Sequence, residues 1–190
     1  ELEPVLLIKD ALAKEQFTYT PPTVTQGDPD KAIDAAAHRL QGEVACGGQD
    51  HFYLEANVAL AVPGEDKDMM VYSSTQHPTE AQHGVSRVLG VPSNAVTVEV
   101  RRMGGAFGGK ESQPTIIAAL AALVASKTGQ PAKLRLRRDA DMIITGKRHD
   151  FEFDYDVGFD EEGRIEGIDI AMMMRSGNVA DLSSGVLARS

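Results

Sequence analysis

The chain contains 190 residues, 42% of them hydrophobic, and has a formal net charge of -9. This length and composition allow one substantial hydrophobic core or two modest lobes, and they exclude a disordered chain. The acidic balance, with no concentrated basic face, argues against nucleic acid and anionic membranes as partners, so small molecules and other protein chains remain.

The ends of the chain and its cysteine content predict where the protein resides. The longest apolar run, residues 116–125, is too short to cross a bilayer, and the start at Glu1 has no basic region typical of a signal peptide. The single cysteine, Cys46, excludes an internal disulfide framework and fits a reducing compartment. We therefore expect a cytoplasmic protein. Because the chain starts without Met and ends at Ser190 without a helix cap, we also expect a fragment of a longer protein.

Residues 1–40 are predicted to form a lead-in segment. Its expected features are a short apolar strand at 5–8, a helical turn from Asp10, a break at Pro21-Pro22 and a helix near 30–37. Residues 41–190 are then expected to form the first, incomplete part of a larger domain.

A long β-hairpin is predicted next. Residues 40–62 are extended and rich in aromatic and β-branched side chains, and a turn leads from them into a second strand at 69–74. Apolar residues then recur with helical spacing from Pro78 until Gly90 ends the helix. The alternation of valine with polar residues at 96–100 predicts a half-buried strand.

A glycine-rich loop at 104–109 separates this strand from a helix at 114–127, which is apolar nearly all round and is therefore expected to be buried. A short strand follows at 134–136. Strict alternation at 151–159, with a returning strand at 168–172, predicts a further hairpin.

The order of these elements predicts the fold class. From residue 40 to 138 the order is β-β-α-β-α-β, and the further hairpin is attached after it. Such an order is typical of an α+β fold in which helices are layered on a mixed β-sheet.

The glycine-rich loop has the form of a binding site. Four glycines in six positions let the backbone adopt positive φ and let a ligand approach the main chain, and the following helix N-terminus favours an anionic or oxygen-rich ligand. The spacing of Gly104, Gly109 and Lys110 also matches a P-loop, but Glu111 stands where a P-loop has Ser or Thr and would repel phosphates. Tight packing of strand against helix is the alternative role for the glycines.

A second candidate site lies around Gln49. The Gly47-Gly48 pair within the predicted strand marks a bulge or a close backbone approach, and the Gln49 amide could hold a ligand oxygen or be satisfied by water. His51 and Glu55 share a face of the predicted strand but are far apart along it. We therefore expect no metal site built from this chain alone.

Four separated motifs resemble one known family. They are GGQDHFYLE at 47–55, SSTQHP at 73–78, RMGGAFGGKE at 102–111 and DMIITGKRH at 141–149. Together they are similar to the molybdenum-binding subunit of bacterial xanthine dehydrogenases. These enzymes are molybdenum hydroxylases, a family that includes aldehyde oxidases and carbon monoxide dehydrogenases, and the similarity covers essentially the whole chain.

The resemblance implies a molybdopterin site. In it, Gln49 hydrogen-bonds toward an oxo ligand of molybdenum, the backbone of Phe107 and Gly108 lies against the pterin and metal centre, and no residue ligates the metal directly. Glu111 is implied to face the substrate pocket and bind a purine, whereas aldehyde-oxidising relatives usually lack an acid there. A carboxylate near a helix N-terminus is stabilised and can accept from ring N–H groups. We therefore expect a xanthine dehydrogenase that hydroxylates hypoxanthine and xanthine to urate.

The resemblance also places essential parts outside the chain. The family's substrate-orienting arginine motif and its general-base glutamate motif are absent from these residues, so both are implied to lie in the remaining molybdenum-binding domain. FAD and 2Fe-2S clusters are implied on other domains or subunits, and we expect no catalysis by the fragment alone. The alternatives are an aldehyde oxidase-type hydroxylase, a P-loop-like nucleotide-binding domain and a non-catalytic structural domain.

Overall fold

Two separate β-sheets organise the residues that the computed structural model describes, which are 3–20 and 23–190. Each sheet belongs to its own compact unit. The first unit combines the described residues up to 49 with residues 149–190, and the second unit holds residues 50–148. The predicted break at Pro21-Pro22 and the first two residues of the chain lie outside the described residues.

The helices and strands follow one another in this order: α1 (Ile8–Ala13), α2 (Pro29–Ala35), β1 (His38–Cys46), β2 (Val58–Pro63), β3 (Met69–Ser73), α3 (Pro78–Leu89), β4 (Val96–Glu99), α4 (Pro114–Thr128), β5 (Ala132–Arg135), α5 (Arg138–Ile144), β6 (Phe151–Phe159), β7 (Ile165–Met174) and α6 (Ser183–Leu187). A 3-10 turn at Ser93–Ala95 precedes β4.

The second unit contains a mixed four-stranded sheet with the strand order β4-β3-β2-β5. Strands β2 and β3 form the predicted antiparallel hairpin, and β5 also runs antiparallel to β2. Strand β4 lies parallel to β3, with Met69 opposite Val96, because α3 carries the chain back across the sheet between them. The loops that follow β3 and β4 therefore leave the sheet at the same edge.

Local signals explain where α3 and α4 begin and end. Both helices carry proline in their first turn, where the missing N–H costs no hydrogen bond. Each ends at a glycine in the left-handed conformation, Gly90 with φ 67° and Gly129 with φ 67°, which only glycine adopts without strain.

A core forms between this sheet and the two helices. Helix α4 packs across β2, β3 and β5, and α3 packs against β4 and α4. Small and β-branched side chains fill the interface, including Ala61, Val71, Val85, Ile117 and Ala118, all nearly or fully buried. A side chain at Gly84 would collide with Thr115, so this glycine lets the two helices approach closely. The second unit therefore has a core of its own.

The expectation that α4 is buried all round is wrong for one stripe of the helix. Ile116, Leu120 and Val124, spaced four residues apart, are exposed, while Ile117 and Ala121 on the opposite side are buried. Residues at this spacing share one face of a helix, and this face of α4 stays uncovered in the described chain, whereas the sides toward the sheet and α3 are covered.

The first unit contains a three-stranded antiparallel sheet with the order β1-β6-β7. Helix α2 packs against β6 and β7, where Gly158 and Gly167 are paired across the strands. A Cβ atom at Gly158 would lie 2.8 Å from the Ile33 Cα, and one at Gly167 would lie 2.9 Å from the Ile33 N. These glycines therefore form a shallow notch that receives the helix.

One face of the three-stranded sheet is apolar. Cross-strand pairing aligns Val44 with Phe153 and Phe153 with Met172, and it aligns Val157 with Ile168 in the same way. The alternate residues, which include Glu43 and Asp154, point to the other face. Several side chains of the apolar face remain exposed in the described chain, among them Leu40, Val44, Ile168 and Ile170.

The predicted α+β class is confirmed. The order β-β-α-β-α-β is found from β2 to β5, and the α2, α3 and α4 helices, the β4 and β5 strands and the late hairpin are present near their predicted positions. The late hairpin pairs with β1 in a second sheet, so the expected single mixed sheet is in fact two sheets.

Two predicted strands are wrong. Residues 5–7 form no strand, and the apolar residue Ile8 begins helix α1 instead, because a run of four apolar residues does not distinguish strand from helix. The predicted strand at 40–62 is interrupted: β1 ends at Cys46 and β2 begins at Val58. The residues between them include Phe52 at φ 51°, a conformation that no extended strand contains.

Two short helices, α5 and α6, were not predicted. The division of the chain at residue 40 into a lead-in segment and an incomplete domain stays a prediction. Among the described residues, no helix has both the length and the apolar character that crossing a membrane requires. The cytoplasmic location also stays a prediction.

Candidate functional site

The glycine-rich loop follows β4 and occupies residues 103–110, called the glycine loop below. Four of its residues have positive φ: Gly104 at 59°, Gly105 at 94°, Phe107 at 56° and Gly108 at 86°. For Phe107 this conformation costs about 1–2 kcal/mol, since its Cβ crowds the following carbonyl. Such strain persists only where the surroundings impose it and is common at ligand sites.

A segment of the chain packs beneath the glycine loop. It consists of residues 50–57 and is called the support segment below. A side chain at Gly104 would collide with Glu55, and a Cβ atom at Gly109 would lie 2.6 Å from the His51 Cγ and 2.7 Å from the Tyr53 Cε1. The glycines therefore serve close packing, as the alternative interpretation expected, but against the support segment and not against a helix.

The prediction that His51 and Glu55 lie on a strand is wrong, since the support segment has no regular structure. The Phe52 N–H instead donates to the Asp50 Oδ1 at 2.7 Å, which makes a local turn. The Glu55 N–H donates to the Gly104 carbonyl at 3.1 Å and joins the support segment to the glycine loop. Within the described residues, no group of three or more His, Cys, Asp and Glu side chains could hold a metal ion.

Gln76, in the loop after β3, fixes the end of the glycine loop. Its Oε1 accepts from the Gly108 N–H at 3.1 Å and from the Lys110 N–H at 3.2 Å. The backbone N–H of Gln76 donates to the Lys110 carbonyl at 2.7 Å, and the Thr75 hydroxyl donates to the same oxygen at 3.1 Å. Because β3 and β4 are parallel neighbours, these residues meet the glycine loop at one edge of the sheet.

The Lys110 side chain turns inward and is 0% exposed. Its Nζ donates to the Met103 carbonyl at 2.6 Å and to the Ser74 Oγ at 2.8 Å, and it lies 3.4 Å from the Glu55 Oε2. It also lies 4.7 Å from the centre of the Tyr53 ring, within range of a cation–π interaction. Burial lowers the pKa of Lys110, and the nearby Glu55 carboxylate opposes that effect.

This position of Lys110 argues against the P-loop alternative. A P-loop lysine extends from the loop toward the β- and γ-phosphates of a nucleotide. Here the amine is enclosed behind the loop and bound to three protein oxygens. It is not available to a phosphate, so the structure does not support nucleotide binding of that kind.

A buried polar network holds the support segment from the other side. The Asn57 amide donates to the Tyr53 hydroxyl at 2.8 Å and to the Asp141 Oδ1 at 2.6 Å. Arg138, at the start of α5, donates to the carbonyls of Tyr53 and Leu54, both at 2.6 Å. Burial, the largest effect, raises the pKa of Tyr53 to about 12, so its hydroxyl stays protonated in this network.

Three of the four predicted site residues lie together on or beside the glycine loop. Phe107 is 64% exposed despite its apolar ring, Gly108 is exposed, and Glu111 is partly exposed just after the loop. Gln49 is exposed but belongs to the first unit and lies outside any strand, contrary to the expectation. Its role toward the loop stays a prediction.

The loop offers free hydrogen-bonding groups. Among the described residues, no hydrogen-bond acceptor is found for the N–H groups of residues 104–107, and no partner is found for the Glu111 carboxylate. Consecutive N–H groups in a loop of positive φ form a concave site for anions and other acceptors. The loop therefore presents several donors and one carboxylate at the same edge of the sheet.

Sequence reasoning missed the residues that support the loop. Ser74, Thr75 and Gln76 were noted only as part of a motif, and Lys110 was weighed only as a phosphate ligand. One available signal was the run of polar residues directly after an apolar strand, since such residues lie at a strand end. The inward direction of Lys110 had no such signal.

Comparisons with known proteins identify the family to which the chain belongs. Residues 11–190 match the molybdopterin cofactor-binding domain family. Xanthine dehydrogenase/oxidase of Gallus gallus is 44% identical over 100% of this chain, and aldehyde oxidase 2 of Cavia porcellus is 43% identical over 98% of it. In each case the match spans 14% of the relative's length, so the chain corresponds to about a seventh of those proteins.

A solved structure shares the fold. The aldehyde oxidoreductase from Desulfovibrio desulfuricans ATCC 27774 superimposes with a TM-score of 0.71 at 21% identity, covering 90% of this chain and 20% of that one. At this level of identity the likeness concerns the fold alone. The family match, in contrast, extends over nearly the whole sequence. The chain therefore belongs to the molybdopterin cofactor-binding domain family.

Proposed function

We propose that the chain forms part of the molybdopterin and purine site of a xanthine dehydrogenase, which hydroxylates hypoxanthine and xanthine to urate in purine breakdown. The observation that carries this proposal is Glu111, a partly exposed carboxylate without a protein partner among the described residues, directly after the glycine loop. Purines carry ring N–H groups that donate to a carboxylate, whereas an aldehyde has no such donor.

The glycine loop fits molybdopterin by its chemistry. The cofactor is anionic and rich in hydrogen-bond acceptors, and the loop offers the free N–H groups of residues 104–107, among which Gly104, Gly105 and Phe107 have positive φ. Phe107 presents an exposed ring on the same loop, suited to a flat pterin. The Gly108 N–H already donates to Gln76. Gly108 would therefore not donate to the cofactor but, having no side chain, would let the cofactor come close to the backbone.

The residues proposed to hold the cofactor are Gln49, Phe107 and Gly108. Molybdopterin, when bound, would supply the oxidation–reduction chemistry of the hydroxylation. The chain's own part is to bind and orient: backbone donors of the glycine loop hold the cofactor, and Glu111 accepts from the purine and fixes its ring relative to the loop. Neither role needs a metal ligand from this chain.

Other components of the reaction are proposed to lie outside this chain. They are the general-base glutamate and the substrate-orienting arginine of the remaining molybdenum-binding domain, together with FAD and 2Fe-2S clusters on other domains or subunits. We accordingly expect the isolated chain to show no turnover, and we expect the complete enzyme to be cytoplasmic.

An aldehyde oxidase-type hydroxylase is the second candidate. Sequence identity does not separate the two, since the match to a xanthine dehydrogenase/oxidase is 44% and the match to an aldehyde oxidase is 43%. The carboxylate at position 111 favours the purine.

Replacement of Glu111 in the complete enzyme tests this proposal. We expect Glu111→Ala to lower kcat/KM for xanthine by roughly 10- to 150-fold, the effect of losing one hydrogen bond to a charged group worth about 1.5–3 kcal/mol. Turnover of an aldehyde substrate, normalised to bound molybdenum, should change little. The matched control is Glu65→Ala, which removes an exposed carboxylate in the turn between β2 and β3.

Two outcomes would contradict the proposal. Unchanged xanthine turnover in Glu111→Ala would show that this carboxylate does not recognise the substrate. An equal loss with purine and aldehyde, at full molybdenum content, would assign Glu111 to a step common to both reactions and would favour neither substrate class.

A further inference from the structure

We infer, building on the proposed function, that Lys110 is a positioning residue: its enclosed side chain ties the two ends of the glycine loop together and thereby sets the loop backbone and Glu111 for their ligands. It does so through the Met103 carbonyl, the Ser74 hydroxyl and the Glu55 carboxylate.

The first support is the complete pairing of the amine. A lysine ammonium has three N–H donors, and the three oxygens around Nζ lie at 2.6, 2.8 and 3.4 Å. A fully enclosed charge is costly unless it is paired and hydrogen-bonded throughout. Here every donor has an acceptor, one of them a carboxylate, so the side chain is held in one position.

The second support is the place of these contacts in the chain. Met103 begins the glycine loop and Lys110 ends it, so the bond between the Met103 carbonyl and Nζ closes the loop on itself. The Lys110 backbone is fixed at the same time by Gln76 and Thr75. The strained Phe107 and the free N–H groups lie between these two fixed ends, and Glu111 is the next residue after Lys110.

The third support is what the loss of the amine would leave behind. The Ser74 hydroxyl lies 2.6 Å from the Glu55 Oε2 and 3.0 Å from the Met103 carbonyl, but its single proton can serve only one of them. Without Lys110, one of these two acceptors would lose its donor, and Glu55 would lose its opposite charge. The loop and the support segment should then separate where they meet.

Hydrogen exchange of the complete enzyme tests the inference without relying on activity. In Lys110→Met, which keeps the apolar stem, we expect faster exchange in the peptide covering residues 103–110. Its hydrogen-bonded amides, those of residues 108–110, should exchange about tenfold faster or more, as the loss of roughly one buried hydrogen bond predicts. The peptide covering α3 should be unchanged. The matched control is Lys127→Met, which removes an exposed lysine at the end of α4.

A second substitution distinguishes positioning from general stability. Adding Glu55→Gln to Lys110→Met removes the unpaired carboxylate, so we expect part of the protection of residues 103–110 to return. If Lys110→Met does not fold, Ser74→Ala replaces it, because it removes one acceptor of the amine and should loosen the same peptide to a smaller extent.

The outcomes separate this inference from the proposed function. Unchanged exchange at 103–110, or equal acceleration in the loop and in α3, would overturn the role of Lys110 whatever the substrate is. A loosened loop combined with no purine-specific effect of Glu111→Ala would support the role of Lys110 and contradict the purine assignment.

Discussion

The two sheets of the molecule differ in what covers them. The four-stranded sheet is covered by α3 and α4 on one face, and its central residues, such as Val71, are fully buried. Within the described residues, the three-stranded sheet packs against the short helix α2 on one face, and apolar residues of its other face, such as Ile170, are about half exposed. One sheet has a closed core, and the other has a largely open apolar surface.

The difference shows where precise geometry is maintained. The glycine loop leaves the sheet that has the closed core, where buried Lys110 holds the loop itself and buried Asn57 holds the support segment beneath it. The turn between β6 and β7 is held instead by exposed groups, with the Asp160 carboxylate accepting from two backbone N–H groups. A strained binding loop requires support from buried polar side chains, because exposed hydrogen bonds exchange readily with water.

The largest expected effect is a difference in the free energy of unfolding when isoleucine is replaced by alanine beside each of the two sheets. Ile117→Ala, at a position 2% exposed in α4, should lower the free energy of unfolding by about 2–5 kcal/mol, since it leaves a cavity. Ile170→Ala, at a position 52% exposed in β7, should lower it by at most about 0.5 kcal/mol. Denaturant unfolding followed by circular dichroism measures both. Equal losses would mean that the open face is covered in the intact protein.

An intermediate effect is expected where α2 meets the three-stranded sheet. Gly158→Ala places a methyl group 2.8 Å from the Ile33 Cα, so the helix must move, at a cost of about 1–3 kcal/mol. Thermal unfolding should show a lower midpoint. Gly47→Ala is the control, because its Cβ would have no neighbour within 4 Å. If Gly158→Ala had the same unfolding midpoint as the wild-type protein, α2 would contribute little to the stability of this sheet.

The smallest effect is expected from acid on the support segment. Burial, followed by the nearby Arg148, lowers the pKa of His51 below 6.5, so the folded protein favours the neutral ring. The resulting contribution to stability is present above pH 6.5 and is lost as the pH falls through the lowered pKa. Hydrogen exchange at 103–110, compared with His51→Gln at each pH, should show loosening in the wild-type protein only. A pH profile identical in both proteins would contradict this.

Local signals explain which parts of the fold were predictable. The boundaries of α3 and α4 follow from proline at the first turn and glycine at the end, and the β2–β3 hairpin follows from its turn. The partner of β1 could not be predicted, because alternation shows that a strand is half-buried but not which strand lies beside it. Its partner, β6, lies more than a hundred residues away.

The candidate site was predictable to the same limited extent. The density of glycine between a strand and a helix indicated a ligand-binding loop. The role of Glu111 toward a purine was implied by the family resemblance and stays a prediction. The parts that could not be predicted depend on tertiary packing: the inward direction of Lys110, the contacts of Gln76 and the network around Asn57. A charged or amide side chain is exposed by default, and only its surroundings in the fold decide otherwise.

The parallel pairing of β3 and β4 has a consequence for how this family can vary. In sheets with parallel strands, ligands are generally bound beyond the carboxyl ends of the strands, where successive loops converge. The loops after β3 and β4 occupy such a position, while the core that aligns the strands lies elsewhere. Exposed residues of these loops, such as Phe107, can therefore be exchanged without redesign of the core. Relatives that share about two fifths of this sequence carry the names of both xanthine dehydrogenases and aldehyde oxidases.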